Sequence, residues 1–306
     1  MRTDRRGFLT TLTAAAAAPA LLGARPATRY PISFSTLGCP AWSWKTILEQ
    51  ADRLGYAALE LRGVMGEMDL TKVPELTGSR QAETRKDLAA LGLVIADLGA
   101  SARMHERDAA ARAAQFDEGR RFIDLARALG VKYVRMFGDK IPPGEPHGDV
   151  IARVVEGFQQ MAAHAKAAGV VVLMESHGDF TKAADLVAIA SAVQSEAFAL
   201  LWDAHHTFVA GEAPADTYAA LGRFVRHTHL KDSRADGPNR RYVLTGAGEV
   251  PVKTQVAVLA KAGYQGYYGF EWEKRWHPEI EDPEVAFPHY ARTVGAYLAE
   301  AGVQPA

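Results

Sequence analysis

The chain contains one cysteine, has no excess of charge of either sign and has no long apolar run after residue 27. A single cysteine, Cys39, cannot form a disulfide within the chain, so a small disulfide-stabilised scaffold is excluded. The 35 basic and 36 acidic side chains nearly cancel, which argues against a nucleic acid or an anionic membrane as partner. The 306 residues are 48% hydrophobic and 23% charged, proportions that exclude disordered, collagen-like and coiled-coil chains.

The first 27 residues differ in composition from the rest. Three arginines precede an Ala-rich apolar run over 9–22, and small residues follow it. This is the layout of a bacterial export signal, and the string around Arg5 and Arg6 resembles the twin-arginine export motif. A membrane-spanning helix is the alternative, but the run is short for about 30 Å of hydrocarbon. We therefore expect residues 1–27 to direct the mature protein, residues 28–306, to the periplasm.

Residues 28–306 show one repeating pattern without a linker. Short apolar segments alternate eight times with longer amphipathic segments, which predicts a single-domain α/β fold, the (β/α)₈ TIM barrel. An open doubly wound sheet is the alternative, but no Gly-rich phosphate loop follows the first strand. The predicted strands are 32–36, 58–62, 94–98, 133–137, 170–175, 199–203, 225–230 and 266–271, and the predicted helices are 44–54, 80–91, 109–129, 150–168, 182–193, 214–221, 252–262 and 283–301.

Polar side chains collect where the last four predicted strands end. In a barrel these ends meet at one rim, where the active sites of this fold lie. A charge at the end of an apolar strand is costly unless it is paired or bound to a cation. Three carboxylates and one imidazole favour Mn²⁺, Mg²⁺ or Co²⁺, with Zn²⁺ as a further candidate. The four residues are Glu175, Asp203, His229 and Glu271.

This quartet resembles the metal site of the xylose-isomerase-like barrels. Segments 203–206 and 227–232 are similar to family motifs, and the resemblance covers nearly the whole mature chain. The family holds sugar isomerases and epimerases, dehydratases and related lyases, and AP endonucleases. The resemblance implies that the quartet binds one divalent ion, with Mn²⁺ favoured. It also implies that Glu175 and Glu271 act as catalytic base and acid.

The implied reaction begins with removal of a proton next to a carbonyl. The metal would bind the carbonyl and adjacent hydroxyl of a keto-sugar and stabilise the enediolate. Return of the proton gives isomerisation or epimerisation, whereas loss of a β-substituent makes the enzyme a lyase or dehydratase. Two alternatives remain. An AP-endonuclease-like metallohydrolase would need more histidines and a basic face, and a non-catalytic sugar-binding barrel would be expected to have a broken quartet.

Residues beside the quartet are candidates for contact with a small carbohydrate. His229 lies nearer the rim than His227, which is expected to support it or fill the core. Glu271 and Glu273 could exchange their roles as metal ligand and substrate contact. The alternative for His177 and His206 is a loop role without substrate contact, and the alternative for Trp42 is a lid over the barrel mouth. The expected substrate contacts are His177, His206, Lys231, Glu273 and Trp42.

Three further charges lie in apolar predicted strands: Glu60, Arg62 and Arg135. We expect each arginine to be half of a structural ion pair, with a role as a substrate clamp as the alternative. The mature protein is expected to bind neither nucleic acid nor membrane. Its oligomeric state stays open, a homo-oligomer being one outcome.

Overall fold

The computed structural model describes residues 28–306, so the predicted export signal lies outside the described residues. An antiparallel hairpin of β8 (Asp232–Asp236) and β9 (Asn239–Val243) follows the seventh barrel strand. The barrel strands are β1 (Ile32–Ser35), β2 (Ala58–Leu61), β3 (Val94–Arg103), β4 (Tyr133–Phe137), β5 (Val171–Glu175), β6 (Phe198–Asp203), β7 (Val225–Leu230) and β10 (Tyr268–Phe270). They are all parallel and close in the order β1-β10-β7-β6-β5-β4-β3-β2, which confirms the predicted TIM barrel.

Helices surround the barrel as the strand–helix alternation predicts. Gly130 and Gly169 end two long helices in the left-handed conformation, with φ of 75° and 73°, which glycine adopts without steric cost. Among the described residues, no helix is both long and apolar enough to cross a bilayer. The helices are α1 (Trp44–Arg53), α2 (Arg80–Ala90), α3 (Ala109–Leu129), α4 (His147–Ala168), α5 (Ala183–Val193), α6 (Ala204–Val209), α7 (Pro214–Leu221), α8 (Val252–Lys261) and α9 (Pro283–Glu300).

The main hydrophobic core lies between the strands and the helices. Aromatic stacking fastens α9 to the barrel, with ring centroids 4.2 Å apart for Phe270 and Tyr290 and 4.4 Å apart for Phe34 and Phe287. A separate apolar cluster includes Leu173 of β5, which is fully buried. Because alternate residues of a strand share a face, Leu173 lies on the same face as Glu175, below the rim.

The structure differs from the predicted elements where the chain is most polar. The hairpin β8–β9 lies where the sequence predicts a loop. The pattern gives no strand there because the residues are charged and lack apolar alternation. Helix α6 follows β6 directly, since Asp203 caps it by accepting hydrogen bonds from the backbone N–H groups of His205 and His206. The last barrel strand ends at Phe270, so Glu271 is the first residue after it.

Candidate metal centre

Four side chains from four neighbouring segments converge at the rim of the barrel. They are Glu175 at the end of β5, Asp203 at the end of β6, His229 within β7 and Glu271 after β10. One ligand atom from each lies within 4.8 Å of the others, and all four residues are buried. His229 Nδ1 is 3.3 Å from Glu175 Oε1 and 3.3 Å from Glu271 Oε2. The same nitrogen is 3.8 Å from Asp203 Oδ2.

The quartet fits a divalent cation. Ligand atoms that share one ion at about 2.0–2.2 Å lie about 3.0–3.5 Å apart, close to the separations of His229 Nδ1 from its neighbours. Glu175 Oε2 is buried and receives no hydrogen bond, although Arg135 Nε lies 3.1 Å away. Three oxygens and one nitrogen form a donor set for Mn²⁺, Mg²⁺, Co²⁺ or Zn²⁺.

The ammonium group of Lys231 is buried against the same carboxylates. Its Nζ is 2.7 Å from Asp203 Oδ2 and 2.8 Å from Glu273 Oε1, and it also donates to Glu271 Oε2. Burial opposes the charge, but these carboxylates outweigh burial and raise the pKa of Lys231 well above its usual range. Lys231 therefore neutralises one side of the quartet and shares two carboxylates with any bound ion.

Glu60 of β2 lies against Nε2 of His229, the ring nitrogen that faces away from the rest of the quartet. Its Oε2 accepts a hydrogen bond from His229 Nε2, which leaves Nδ1 directed at the three other members of the quartet. Burial alone would lower the pKa of His229, but Glu271, Glu60 and Glu175 hold it well above its usual range. A carboxylate that binds the second nitrogen of a metal-ligating histidine fixes the tautomer and the ring orientation. Glu60 occupies that position.

Glu60 in turn belongs to a buried polar layer below the rim. His227 Nε2 is 3.7 Å from Glu60 Oε2 and 3.4 Å from Asp97 Oδ1. Burial and the charge of Glu60 raise the pKa of Asp97 well above its usual range. Because His227 and His229 are two residues apart on β7, both rings enter the barrel, at different depths.

The charges of the ligating carboxyls depend on the cations beside them. Burial opposes ionisation of Glu175, but Arg135 outweighs it and lowers the pKa. Burial likewise opposes ionisation of Glu271, whose pKa His229 and Lys231 hold well below its usual range. For Asp203, burial prevails over Lys231 and raises the pKa to about 6. Cations therefore keep both proposed catalytic carboxyls ionised.

A cleft of about 80 Å³ opens beside the quartet, and Glu175 and Glu271 line it. His177 reaches its wall from the loop after β5, and Glu273 lies beside it with its carboxylate on Lys231. His206 lies behind Asp203, with Nε2 3.4 Å from Asp203 Oδ2. The lining residues are Leu37, Arg62, Arg135, Phe137, Glu175, His177, Glu271, Glu273 and Trp276.

Trp42 does not reach this cleft. Its indole packs edge-on against Phe287 of α9, and its Nε1 donates a hydrogen bond of 3.0 Å to Glu284. The expected contact between Trp42 and the substrate is therefore corrected, because the residue joins α9 to the segment before α1. Trp276, half-exposed in the loop after β10, supplies the aromatic wall instead.

Sequence reasoning missed the roles of Glu60, Arg62 and Trp276. The signal for Glu60 was a carboxylate inside the apolar strand β2, which needs a buried partner. Arg135 does form the expected ion pair, with Glu175. Arg62 forms none with any residue that the structure describes, so the expectation for it was wrong. Trp276 carried no signal beyond its place after a strand end.

Comparison with known proteins places the chain in a family. The family model described as the xylose isomerase-like TIM barrel matches residues 48–290, and the chain belongs to this family. A curated relative, the fructoselysine 3-epimerase of Shigella flexneri, is 22% identical over 150 residues. That match covers 47% of this chain and 54% of the relative, so the chain spans about half the length of the curated relative it matches.

Solved structures share the fold at low identity. An L-ribulose 3-epimerase superimposes with a TM-score of 0.71 at 20% identity, covering 89% of this chain and 95% of that one. A probable 3-DHS dehydratase from Bacillus anthracis gives 0.71 at 15%, covering 87% and 99%. A xylose isomerase-like barrel protein from Mycobacterium smegmatis in complex with magnesium gives 0.65 at 18%, covering 89% and 97%. Sugar epimerases and a dehydratase are thus among the proteins with this fold.

Proposed function

We propose that this protein is a divalent-metal-dependent isomerase or epimerase that acts on a keto-sugar or a related carbohydrate. The observation that carries the proposal is the convergence of Glu175, Asp203, His229 and Glu271 within 4.8 Å, next to a cleft that Glu175 and Glu271 line. Membership of the xylose isomerase-like family and the partial match to a sugar 3-epimerase support it. A divalent ion held there would polarise the carbonyl and the adjacent hydroxyl of the substrate.

The residues of the chain would then move the proton. Glu175 and Glu271 both line the cleft, and the cations beside them favour their ionised, basic forms. One of them removes the proton from the carbon next to the carbonyl and becomes protonated. For isomerisation that carboxyl returns the proton at the neighbouring carbon, and for epimerisation the other carboxylate passes a proton from solvent to the opposite face of the same carbon. His177 and Glu273 line the cleft and hold the hydroxyl groups, and Trp276 covers the ring from the open side. His206 and Lys231 do not line the cleft, and they support Asp203 and Glu273 from behind.

Elimination is the second candidate, because it uses the same first step. If the carbon next to the new carbanion carries a leaving group, loss of that group gives a lyase or dehydratase. A probable 3-DHS dehydratase among the structural neighbours has the same barrel, which supports this candidate. The ligand set favours Mn²⁺, since three of its four atoms are oxygens.

Exchange of carbon-bound hydrogen with solvent tests the proposal. The Mn²⁺-loaded protein is incubated in D₂O with a panel of keto-sugars, and deuterium is located by NMR. We expect deuterium at the carbon next to the carbonyl, in the product of an epimerase or in the recovered substrate of a lyase. Glu175→Gln and Glu271→Gln should each slow exchange by about 10²–10⁴-fold. Turnover without exchange and without a primary isotope effect would contradict the proposal and indicate direct hydrolysis.

We also propose that the protein is exported through its twin-arginine-like N-terminus. The support is the sequence around Arg5 and Arg6, followed by an Ala-rich run. Export of the folded protein would let it take its metal from the cytosolic pool first. Replacing both arginines with lysine should leave the protein in the cytoplasm, and normal export of that variant would refute this route.

A further inference from the structure

Two arginines line the cleft beside the carboxylates. Arg62 follows β2 and Arg135 lies in β4, and both pass close to Gly99 of β3. A Cβ atom on Gly99 would lie 2.6 Å from Arg62 Cδ and 2.8 Å from Arg135 Nη2. Any side chain at position 99 would therefore displace one of the arginines. The glycine makes room for two neighbouring guanidinium groups at one site.

The two guanidinium groups differ in what neutralises them. Arg135 Nε lies 3.1 Å from Glu175 Oε2. Arg62 instead donates to neutral oxygens, with Nη2 2.9 Å from Ser101 Oγ and Nη1 3.5 Å from the Gly99 carbonyl. No carboxylate oxygen of residues 28–306 lies within 4.0 Å of its guanidinium nitrogens. Arg62 is nevertheless only 7% exposed, so a buried charge faces the cleft with no carboxylate in direct contact.

Such an arrangement is costly unless a ligand supplies the counter-ion. Burial and the neighbouring Arg135 lower the pKa of Arg62 to about 10, although Glu60, Glu271 and Glu118, all beyond 4.0 Å, act in the opposite direction, so the group is still charged at neutral pH. The cleft is also polarised, since Glu175, Glu271 and Glu273 line it together with the arginines. An anionic group of a bound molecule would be repelled by these carboxylates and attracted to Arg62.

We propose that Arg62 binds an anionic group of the substrate, and that this group is a carboxylate, so that the substrate is a keto-sugar acid. This rests on the proposed function, because it assigns the substrate class of the same cleft. A planar guanidinium matches the two oxygens of a carboxylate with parallel hydrogen bonds. The opposite end of the same molecule would then place its carbonyl toward the quartet. A phosphate shares the anionic chemistry, and the experiment separates the two.

Three sugars that differ only at C6 provide the test: D-fructose, D-fructuronate and D-fructose 6-phosphate. Their dissociation constants are measured by calorimetry on the Mn²⁺-loaded full chain. We expect D-fructuronate to bind at least tenfold more tightly than D-fructose, and Arg62→Met to bring the two constants within about threefold. Arg62→Lys, which keeps the charge but loses the planar fork, should give an intermediate ratio. If Arg62→Met does not fold, Arg62→Lys still allows the same comparison of dissociation constants.

Arg103→Met is the matched control. Arg103 lies 3.5 Å from Asp139, its side chain is half-exposed, and it does not line the cleft. The variant should keep the wild-type ratio. Equal affinities for D-fructose and D-fructuronate, or no binding of any of the three sugars, would overturn the proposal. A preference that survives Arg62→Met would overturn it too, since the carboxylate would then bind elsewhere.

The remaining outcomes distinguish this inference from the proposed function. Tighter, Arg62-dependent binding of D-fructose 6-phosphate than of D-fructuronate would replace the carboxylate with a phosphate. An Arg62-dependent preference for D-fructuronate without solvent deuterium in any sugar would leave the anion site standing. In that case the proposed proton abstraction would fail instead.

Discussion

Glu60 accepts a hydrogen bond from His229 across the interior of the barrel, from β2 to β7. The bond holds Nε2 of the imidazole, while Nδ1 lies 3.3 Å from Glu175 and from Glu271. The imidazole of His229 therefore has a fixed orientation, with Nδ1 facing the carboxylates of the quartet. Glu60 thus acts through His229 and is a positioning residue.

Glu60→Gln should weaken metal binding by about 10–100-fold, because an amide holds the histidine tautomer less firmly than a carboxylate. Titration with Mn²⁺ measures the change. Glu118→Gln is the control, since Glu118 accepts a hydrogen bond from the Ser101 backbone and contacts no quartet member. Equal metal affinity in both variants would assign Glu60 a purely structural role.

Loss of a quartet member should remove the metal but keep the barrel. His229→Ala and Asp203→Ala should each reduce bound metal from one ion per chain to less than about a tenth, because fewer ligands remain. Circular dichroism should show a folded barrel, since these side chains lie at the rim. For the wild type, chelation should lower stability by about 2.7 kcal/mol relative to free ion at 100 times its dissociation constant. Unchanged metal content in both variants would show that the ion binds elsewhere.

Lys231→Met should destabilise the metal-free protein by about 3–5 kcal/mol. The substitution leaves Asp203, Glu271 and Glu273 without their shared ammonium group in a buried site. Urea unfolding with chelator measures the loss, and Mn²⁺ should restore more stability to the variant than to the wild type.

Lys274→Met is the matched control for Lys231. Lys274 pairs with Asp282, whose side chain is 71% exposed, donates to the backbone carbonyls of Pro278 and Ile280, and has no contact with the quartet. Its removal should therefore cost less and should not depend on metal. A similar, metal-independent loss in both variants would contradict the role given to Lys231.

The Asp69–Arg121 pair should give a pH-dependent contribution to stability. Arg121 Nη1 lies 3.1 and 3.0 Å from the two carboxylate oxygens of Asp69, which joins α3 to the segment after β2. Burial opposes ionisation of Asp69, but hydrogen bonds from Thr71 and Arg121 outweigh it and lower the pKa. A lowered pKa stabilises the fold above the unfolded value of about 3.9, and that stabilisation is lost as pH falls through the folded value.

Asp69→Asn should therefore cost about 1 kcal/mol or less at pH 7 and almost nothing near pH 2, as expected for a partly exposed pair. Urea unfolding at the two pH values measures the difference. Asp117→Asn is the control, because Asp117 pairs with the same arginine but its side chain is 65% exposed. A cost for Asp69→Asn that does not change with pH would refute the electrostatic origin.

The alternation of strand and helix patterns predicted the barrel, because each strand–helix unit buries its apolar residues in the same way. The predicted strands 133–137 and 225–230 coincide with β4 and β7, and glycines mark the ends of α3 and α4. Elements made of polar residues were predicted less accurately from the sequence. The hairpin β8–β9 is held by antiparallel backbone pairing and leaves no apolar pattern to read.

The sequence by itself determined which side chains stand at the ends of consecutive strands, since parallel strands must bring their carboxyl ends to one rim. Glu175, Asp203 and His229 could be chosen on that ground. Only the tertiary structure decided what lies across the barrel from them. Glu60 is 169 residues from His229 along the chain, and its bond to that ring depends on closure of the barrel. Arg62 could be recognised as unpaired only from the structure, because the folded chain decides which carboxylates lie within contact distance of a guanidinium group.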